Sequence, residues 1–111
     1  MTRSLALMPA FLLLSSPTWA QVAEPKIIAE NDKVVVSETI AKPGESTPVA
    51  VRLGQVNVYL EGGTAEATYA DGSKATVTRK AGETRIIAEK RPYSARNIGT
   101  TTIHVISVTV K

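Results

Sequence analysis

Residues that could carry acid–base, nucleophilic or metal chemistry are few in this chain. His104 is the one histidine among 111 residues, and there is no cysteine. On an extended strand His104 shares a face with Ile106, Val108 and Val110. A general base needs a partner within hydrogen-bond reach, and no sequence pattern supplies one. A neutral, packed histidine is the ordinary interpretation, and a functional His104 is the alternative. Hydrolase chemistry has no support, because the chain has no Gly-x-Ser-x-Gly elbow and no phosphate-cradling glycine loop.

Basic residues are frequent in the second half of the chain, but acidic residues separate them. The net charge is only +3, with 13 basic and 10 acidic residues, which is too balanced to indicate a nucleic-acid partner. Glu83 and Glu89 interrupt the basic series, which favours a solvated, salt-bridged surface. An anionic polymer at the cell envelope is the alternative. The series consists of Arg79, Lys80, Arg85, Lys90, Arg91 and Arg96.

The first 20 residues have the layout of a secretory signal. Arg3 precedes a short apolar run from Leu5 to Leu14, and a stretch of small residues ends at Ala20. A membrane anchor is the alternative, but a helix needs about 20 apolar residues to span a bilayer, and this run is much shorter. We therefore expect a signal peptide at 1–20, a loose leader at 21–25 and one domain at 26–111. A periplasmic or secreted location follows, with no membrane span in the mature chain.

The expected mature chain has room for a single modest core. It keeps 12 of the 13 basic residues and all 10 acidic ones, since Arg3 is the only charge lost. Its aromatic residues are Tyr59, Tyr69 and Tyr93. An exported domain without disulfides depends on packing for its stability, and a partner subunit would add to it.

Short β-branched segments separated by turn signals predict an all-β sandwich or barrel. Asp71-Gly72 is a strong signal for a two-residue type I′ hairpin. Val56 and Val58 fall on one strand face, and Tyr59 and Glu61 on the other. Closure as an antiparallel jelly roll would limit exposed sheet edges. Nine strands are predicted: Lys26 to Glu30, Lys33 to Ala41, Pro48 to Leu53, Val56 to Leu60, Thr64 to Ala70, Ser73 to Thr78, Glu83 to Ala88, Tyr93 to Asn97 and Thr101 to Val110.

Two glycine-bounded stretches carry a resemblance to a known family. The first runs from Gly44 to Gly63 and the second from Gly82 through Asn97 to Gly99. Their spacing resembles the two motifs of small single-domain cupins of the RmlC type, and the chain is loosely similar to cupins of beta-alanine degradation. The resemblance implies a cupin-like jelly-roll, or double-stranded β-helix, barrel. It places the four metal-ligand positions at Ala50, Arg52, Val56 and Tyr93.

The chemistry of those four positions argues against the usual metal. A cupin-type Fe, Mn, Zn or Ni site needs imidazole and carboxylate groups converging on one ion. Arg52 stays protonated, and its fixed charge opposes a nearby cation. We therefore expect no metal and no cofactor.

The cupin pattern also predicts a repurposed pocket. It points Arg52 and Tyr93 inward, with Gln55 beside the lost carboxylate position. Arg52 could bind a carboxylate or phosphate through its planar fork, with the Tyr93 hydroxyl as an orienting hydrogen bond. His104 completes the candidate ligand-binding set. The alternative is a filled barrel in which Arg52 extends to solvent and Tyr93 packs as core.

Three function classes remain open. The first is an exported, metal-free binding or accessory protein for a small anionic ligand, with no catalytic residues. The second is a cupin enzyme that acts on a small organic acid or sugar without the usual metal. The third is a structural module that forms a homodimer, which the cupin resemblance implies and which would bury a sheet face.

Overall fold

A computed structural model describes residues 22–52, 54–88 and 90–111. The predicted signal peptide lies outside this part of the chain. The described residues form eight strands and no helix: β1 (Lys26–Glu30), β2 (Val34–Ala41), β3 (Gln55–Glu61), β4 (Gly63–Tyr69), β5 (Lys74–Arg79), β6 (Thr84–Ile86), β7 (Tyr93–Asn97) and β8 (Ile103–Val110).

The strands form two antiparallel sheets that enclose a cavity. One sheet has five strands in the order β1-β2-β8-β3-β6, and the other has three in the order β5-β4-β7. All pairings are antiparallel. The predicted all-β jelly roll is therefore confirmed. Within the described ranges, no helix is long and apolar enough to cross a membrane.

The predicted strand from Pro48 to Leu53 is wrong for the residues that the structure describes. This stretch contacts β7 through one isolated bridge instead, between Ala50 and Tyr93. The Ala95 backbone N–H donates to the Thr47 hydroxyl at 3.0 Å, where a regular ladder would use a backbone carbonyl. Pro48 has no N–H to donate. A side chain and a proline thus interrupt the ladder that β-propensity favoured.

The hairpin between β4 and β5 is confirmed, but its loop has three residues instead of two. Tyr69 donates to the Ser73 carbonyl at 2.9 Å, which leaves residues 70–72 as the loop. Gly72 has φ +90° and donates to the Tyr69 carbonyl. This is the pattern of a type I turn followed by a left-handed glycine. The Asp71 carboxylate holds the turn by accepting from the Ser73 backbone N–H and hydroxyl.

A β-bulge at Leu60 changes the predicted alternation of β3. Tyr59 is opposite Val105, but the next paired residue, Glu61, is opposite His104. An extra residue in one strand reverses the faces of the residues beyond it. Glu61 therefore joins the outer face of the sheet, and Tyr59 stays on the inner face.

The outer faces of the two sheets differ in chemistry. The three-stranded sheet presents hydroxyl and charged groups, including the Thr64–Thr78 hydroxyl contact at 3.2 Å and the Lys74–Glu66 ion pair at 3.7 Å. The five-stranded sheet presents cross-strand apolar pairs in register, on the face away from the cavity. These pairs are Val34 with Val110, Val36 with Val108, Val56 with Val108 and Val58 with Ile106.

The packed core is small. Ala23, Ala41 and Ile103 are its buried members, and Tyr59 and Ala65 pack against them. Several buried residues are polar instead, so hydrogen bonds as well as apolar contacts hold the interior together. The buried polar residues are Thr39, Asn57, Asn97 and Ser107.

Candidate functional site

The cavity between the sheets has a volume of about 510 Å³, within the usual range for ligand pockets. Its size follows from the small side chains that the three-stranded sheet turns inward. Ala65 and Ala67 of β4 and Ala95 of β7 all line it. The polar side of β3 also faces the cavity, and the apolar Val56 and Val58 do not line it. The sheet interior is thus an open, partly polar space instead of a filled core.

Arg52 lies in the cavity wall, held by the segment that precedes β3 and by β7. Its Nη2 donates to the Pro48 carbonyl at 2.8 Å, the Thr47 hydroxyl at 3.1 Å and the Tyr93 carbonyl at 3.2 Å. Its guanidinium carbon lies 4.7 Å from the centre of the Tyr93 ring, a cation–π distance. Its Nε is buried without a hydrogen-bond partner among the described residues. Protein acceptors therefore hold the Nη2 side of the guanidinium, and its charge has no carboxylate partner among the described residues.

Tyr93 and Tyr69 are cross-strand partners on β7 and β4, and both line the cavity. Their ring centres are 5.6 Å apart at 53°, a tilted geometry that aromatic pairs favour. Burial raises the pKa of the Tyr93 hydroxyl, and the charges of Arg52 and Arg79 oppose this rise. Tyr93 therefore stays a neutral hydrogen-bond donor at neutral pH.

The five-stranded sheet contributes amides and hydroxyls to the cavity. The Ser107 hydroxyl donates to Asn57 Oδ1 at 2.7 Å, and both residues are buried. Gln55 Nε2 donates to the Thr109 hydroxyl at 3.1 Å. Gln55 thus lines the cavity as the sequence predicted. Asn57 occupies the inward position that the cupin spacing had assigned to Val56.

Arg79 is a cavity residue that the sequence interpretation assigned to the solvated surface. It ends β5, and its Nε is buried without a partner in the described part of the chain. The one hydrogen bond its side chain makes there is a long one, from Nη1 to the Thr78 carbonyl at 3.3 Å. The alternation of β5 could have indicated this position, because Val77 and Arg79 share a face opposite the exposed Thr76 and Thr78.

The charge of the cavity wall is positive. Arg52, Arg79 and Arg85 line it, whereas no aspartate or glutamate does among the described residues. Arg85 is compensated by an ion pair with Glu83 at 3.1 Å. Neither Arg52 nor Arg79 forms an ion pair with a carboxylate in the described ranges.

Asn97 lines the cavity and forms hydrogen bonds that hold three backbone segments together. Its side chain is only 2% exposed. Its Nδ2 donates to the carbonyls of Ala41 and Thr101, both at 2.8 Å, and its Oδ1 accepts the Gly99 N–H at 3.0 Å. One side chain therefore joins the end of β2, the end of β7 and the loop that leads into β8.

His104 lies apart from the cavity, on the outer face of the five-stranded sheet. It shares that face with Ile106, as the strand alternation predicted. Its Nε2 is 2.6 Å from Glu38 Oε2, and its Nδ1 is 3.9 Å from Glu61 Oε1. The structure thus brings Arg52, Gln55 and Tyr93 together and separates His104 from them. The Glu38 contact was missed because it joins residues 66 positions apart.

The cavity lining does not fit the metal that the cupin resemblance implies. Its donors are guanidinium, amide and hydroxyl groups, and no histidine, cysteine or carboxylate lines it among the described residues. No cluster of three or more such ligands occurs elsewhere in that part of the chain. Fixed positive charges at Arg52 and Arg79 oppose a divalent cation at this place.

Comparison of the fold finds cupin structures of similar size. A cupin domain from Bordetella pertussis Tohama I superposes with a TM-score of 0.73 at 21% identity, over 82% of this chain and 95% of that one. An RmlC-like cupin family protein with a double-stranded β-helix fold, from Methanocaldococcus jannaschii, gives a TM-score of 0.60 at 14% identity, over 86% of each chain.

An oxalate oxidase structure matches more weakly, with a TM-score of 0.50 at 16% identity, over 68% of this chain and 40% of that one. No family model matches the sequence, and no curated protein matches it. The chain therefore has the cupin, or double-stranded β-helix, fold, as the resemblance of its two glycine-bounded motifs implied.

Proposed function

We propose that this chain is an exported, non-catalytic protein that binds a small anionic ligand in its cavity without a metal. The observation that carries the proposal is the cavity wall itself, where Arg52 and Arg79 have no carboxylate partner among the described residues. A partly buried guanidinium without a counter-ion gains from pairing with an anion, and a carboxylate or phosphate matches its planar fork with two hydrogen bonds. Tyr93 and Gln55 add orienting hydrogen bonds.

Binding is favoured over catalysis because the described cavity residues include no group suited to accept a proton near neutral pH. The alternative is an enzyme that acts on a small organic acid or sugar without the usual metal. The similarity to the oxalate oxidase fold is the observation in its favour. Stoichiometric metal in protein purified from the periplasm without chelator would favour the enzyme.

The test is an Arg52→Gln variant, titrated by calorimetry with acetate, butyrate, succinate and inorganic phosphate. We expect the best-bound of these anions to lose roughly 10- to 100-fold in affinity, because a hydrogen bond to a charged group contributes about 1.5–3 kcal/mol. Arg96→Gln is the matched control. It removes an exposed guanidinium from β7, outside the cavity, and should leave the affinity unchanged. Equal affinities in wild type and Arg52→Gln would overturn the proposal.

We further propose that two copies pair through the valine and isoleucine patch on the outer face of the five-stranded sheet, beside the His104–Glu38 contact. Support comes from the contrast between this face and the polar outer face of the three-stranded sheet. Exposed apolar residues extend the face at its ends, with Ile40 48% and Val110 60% exposed. Covering such a surface is favourable.

Sedimentation of Val58→Lys tests the pairing. We expect a dimer for the unaltered protein at micromolar concentration and a folded monomer for the variant, because lysine places a charge in the buried interface. Thr76→Lys adds the same charge to the outer side of the three-stranded sheet and should remain dimeric. A monomer at micromolar concentration before any substitution would refute the pairing.

A further inference from the structure

Arg52 and Arg79 enter the cavity from different ends of β4. On β4, Tyr69 pairs with Tyr93, whose carbonyl accepts from Arg52, and Gly63 pairs with Arg79. These two positions on β4 are six residues apart, which corresponds to about 20 Å of strand. The two arginines are therefore anchored at separate places on the wall, and both side chains line the cavity between them.

Both arginine side chains nevertheless line the same cavity. Each has a buried Nε without a partner among the described residues. Both charges also act on the hydroxyl of Tyr93, where they oppose the effect of burial on its pKa. An anionic ligand in this space would therefore lie near two guanidiniums that have no carboxylate partner among the described residues.

The positive charge of the cavity wall determines which ligand charge is most favourable. Among the lining arginines, Arg85 has Glu83 as its counter-ion, and Arg52 and Arg79 have no carboxylate partner in the described part of the chain. A monoanion would satisfy only one of them. An uncompensated charge in a low-dielectric site is unfavourable, so a second anionic group on the same ligand gains an interaction that a methyl group cannot.

We infer that the cavity recognises a small acid with two separated anionic groups, and that Arg79 is the second anchor beside Arg52. This inference rests on the proposed function, because it assumes that anions bind in the cavity. It adds a binding residue on β5 and a class of ligand, a linear dicarboxylate. The alanines that face the space between the anchors suit the apolar carbon chain of such an acid.

Calorimetry with two matched series tests the inference at low ionic strength, where charge interactions are least screened. The probes are succinate, glutarate and adipate, each paired with the monoacid of the same carbon number. We expect the best diacid to bind roughly 10- to 100-fold more tightly than its monoacid. Arg79→Gln should lower the affinity for the diacid to about that of the monoacid, so that the ratio of the two affinities falls toward one.

Two further variants separate recognition from folding. Arg79→Lys keeps the charge without the fork and should retain part of the preference for the diacid. Lys74→Gln removes a charge from the outer side of the same strand and should retain all of it. Circular dichroism and Tm identify any variant that has lost the fold.

Each outcome decides between the two proposals. If diacids and monoacids bind equally and only Arg52→Gln weakens them, the Arg79 inference is wrong and the proposed function stands. Binding of inorganic phosphate more tightly than every diacid, with dependence on both arginines, would indicate one compact anion and overturn the two-group inference. If no acid in either series and no phosphate binds, the proposed function fails and the inference fails with it.

Discussion

Replacing Asn97 by alanine is expected to lower the free energy of unfolding by about 3 kcal/mol. Its amide joins three backbone groups, of Ala41, Gly99 and Thr101, and alanine leaves them without that partner. Each buried polar group left unsatisfied costs about 1–3 kcal/mol. Against a typical domain stability of about 5–15 kcal/mol, this loss is large. Urea denaturation followed by circular dichroism measures it.

Two other variants show whether hydrogen bonding at the buried site is the cause. Asn97→Asp keeps the shape but turns a carboxylate oxygen toward two carbonyls, so it should destabilise at least as much as alanine at neutral pH. Asn31 also bonds to backbone, because its Oδ1 accepts the N–H groups of Lys33 and Val34, but it is exposed. Asn31→Ala should therefore cost less than about 1 kcal/mol. Equal losses for Asn31→Ala and Asn97→Ala would contradict this account.

Replacing Gly62 by alanine is expected to destabilise the fold by about 3 kcal/mol or more. A Cβ at this position would lie 2.1 Å from the Arg79 carbonyl oxygen and 2.9 Å from its carbonyl carbon. Both atoms belong to backbone, so relief requires β5 to move where Arg79 pairs with Gly63. Overpacking ordinarily costs about 1–3 kcal/mol and sometimes more. The same denaturation experiment gives the value.

Gly72→Ala is the matched control, because it adds the same methyl group at a position where the cost has a different physical cause. Gly72 has φ +90°, but a Cβ there would meet no atom of the described residues within 4 Å. Its cost is conformational, at about 1–2 kcal/mol. A smaller loss for Gly62→Ala than for Gly72→Ala would show that β5 yields easily. It would also predict a change in the position of Arg79, which the binding titrations would detect.

The strands were largely predictable because their signals are local. β-Branched residues and turn residues alternate along the chain, and eight of the nine predicted segments correspond to a strand. The stretch from Pro48 to Leu53 has the same composition, but Thr47 accepts the Ala95 N–H through its side chain. The hydrogen-bond partner of that N–H is decided by a tertiary contact, and β-propensity carries no information about tertiary contacts.

The candidate site was predictable only in part. Arg52, Gln55 and Tyr93 lie in or beside glycine-bounded motifs, whose spacing predicted the inward register. Arg79 lies in neither motif, and its proposed role depends on the lack of a carboxylate partner among the described residues. The bulge at Leu60 turns Glu61 to the outer face. A strict alternation of faces along the strand assumes no such extra residue, so it could not predict the bulge.

The tyrosines that line the cavity determine the near-ultraviolet absorption and fluorescence expected of the mature chain. Tyr59, Tyr69 and Tyr93 all do so, and they are the only tyrosines in the sequence. Its single tryptophan, Trp19, and single phenylalanine, Phe11, fall within the expected signal peptide. After cleavage at Ala20, all near-ultraviolet absorption and emission would come from rings on the cavity wall. The mature chain would then report the occupancy of its cavity by its own fluorescence, without a label and without background from elsewhere in the molecule.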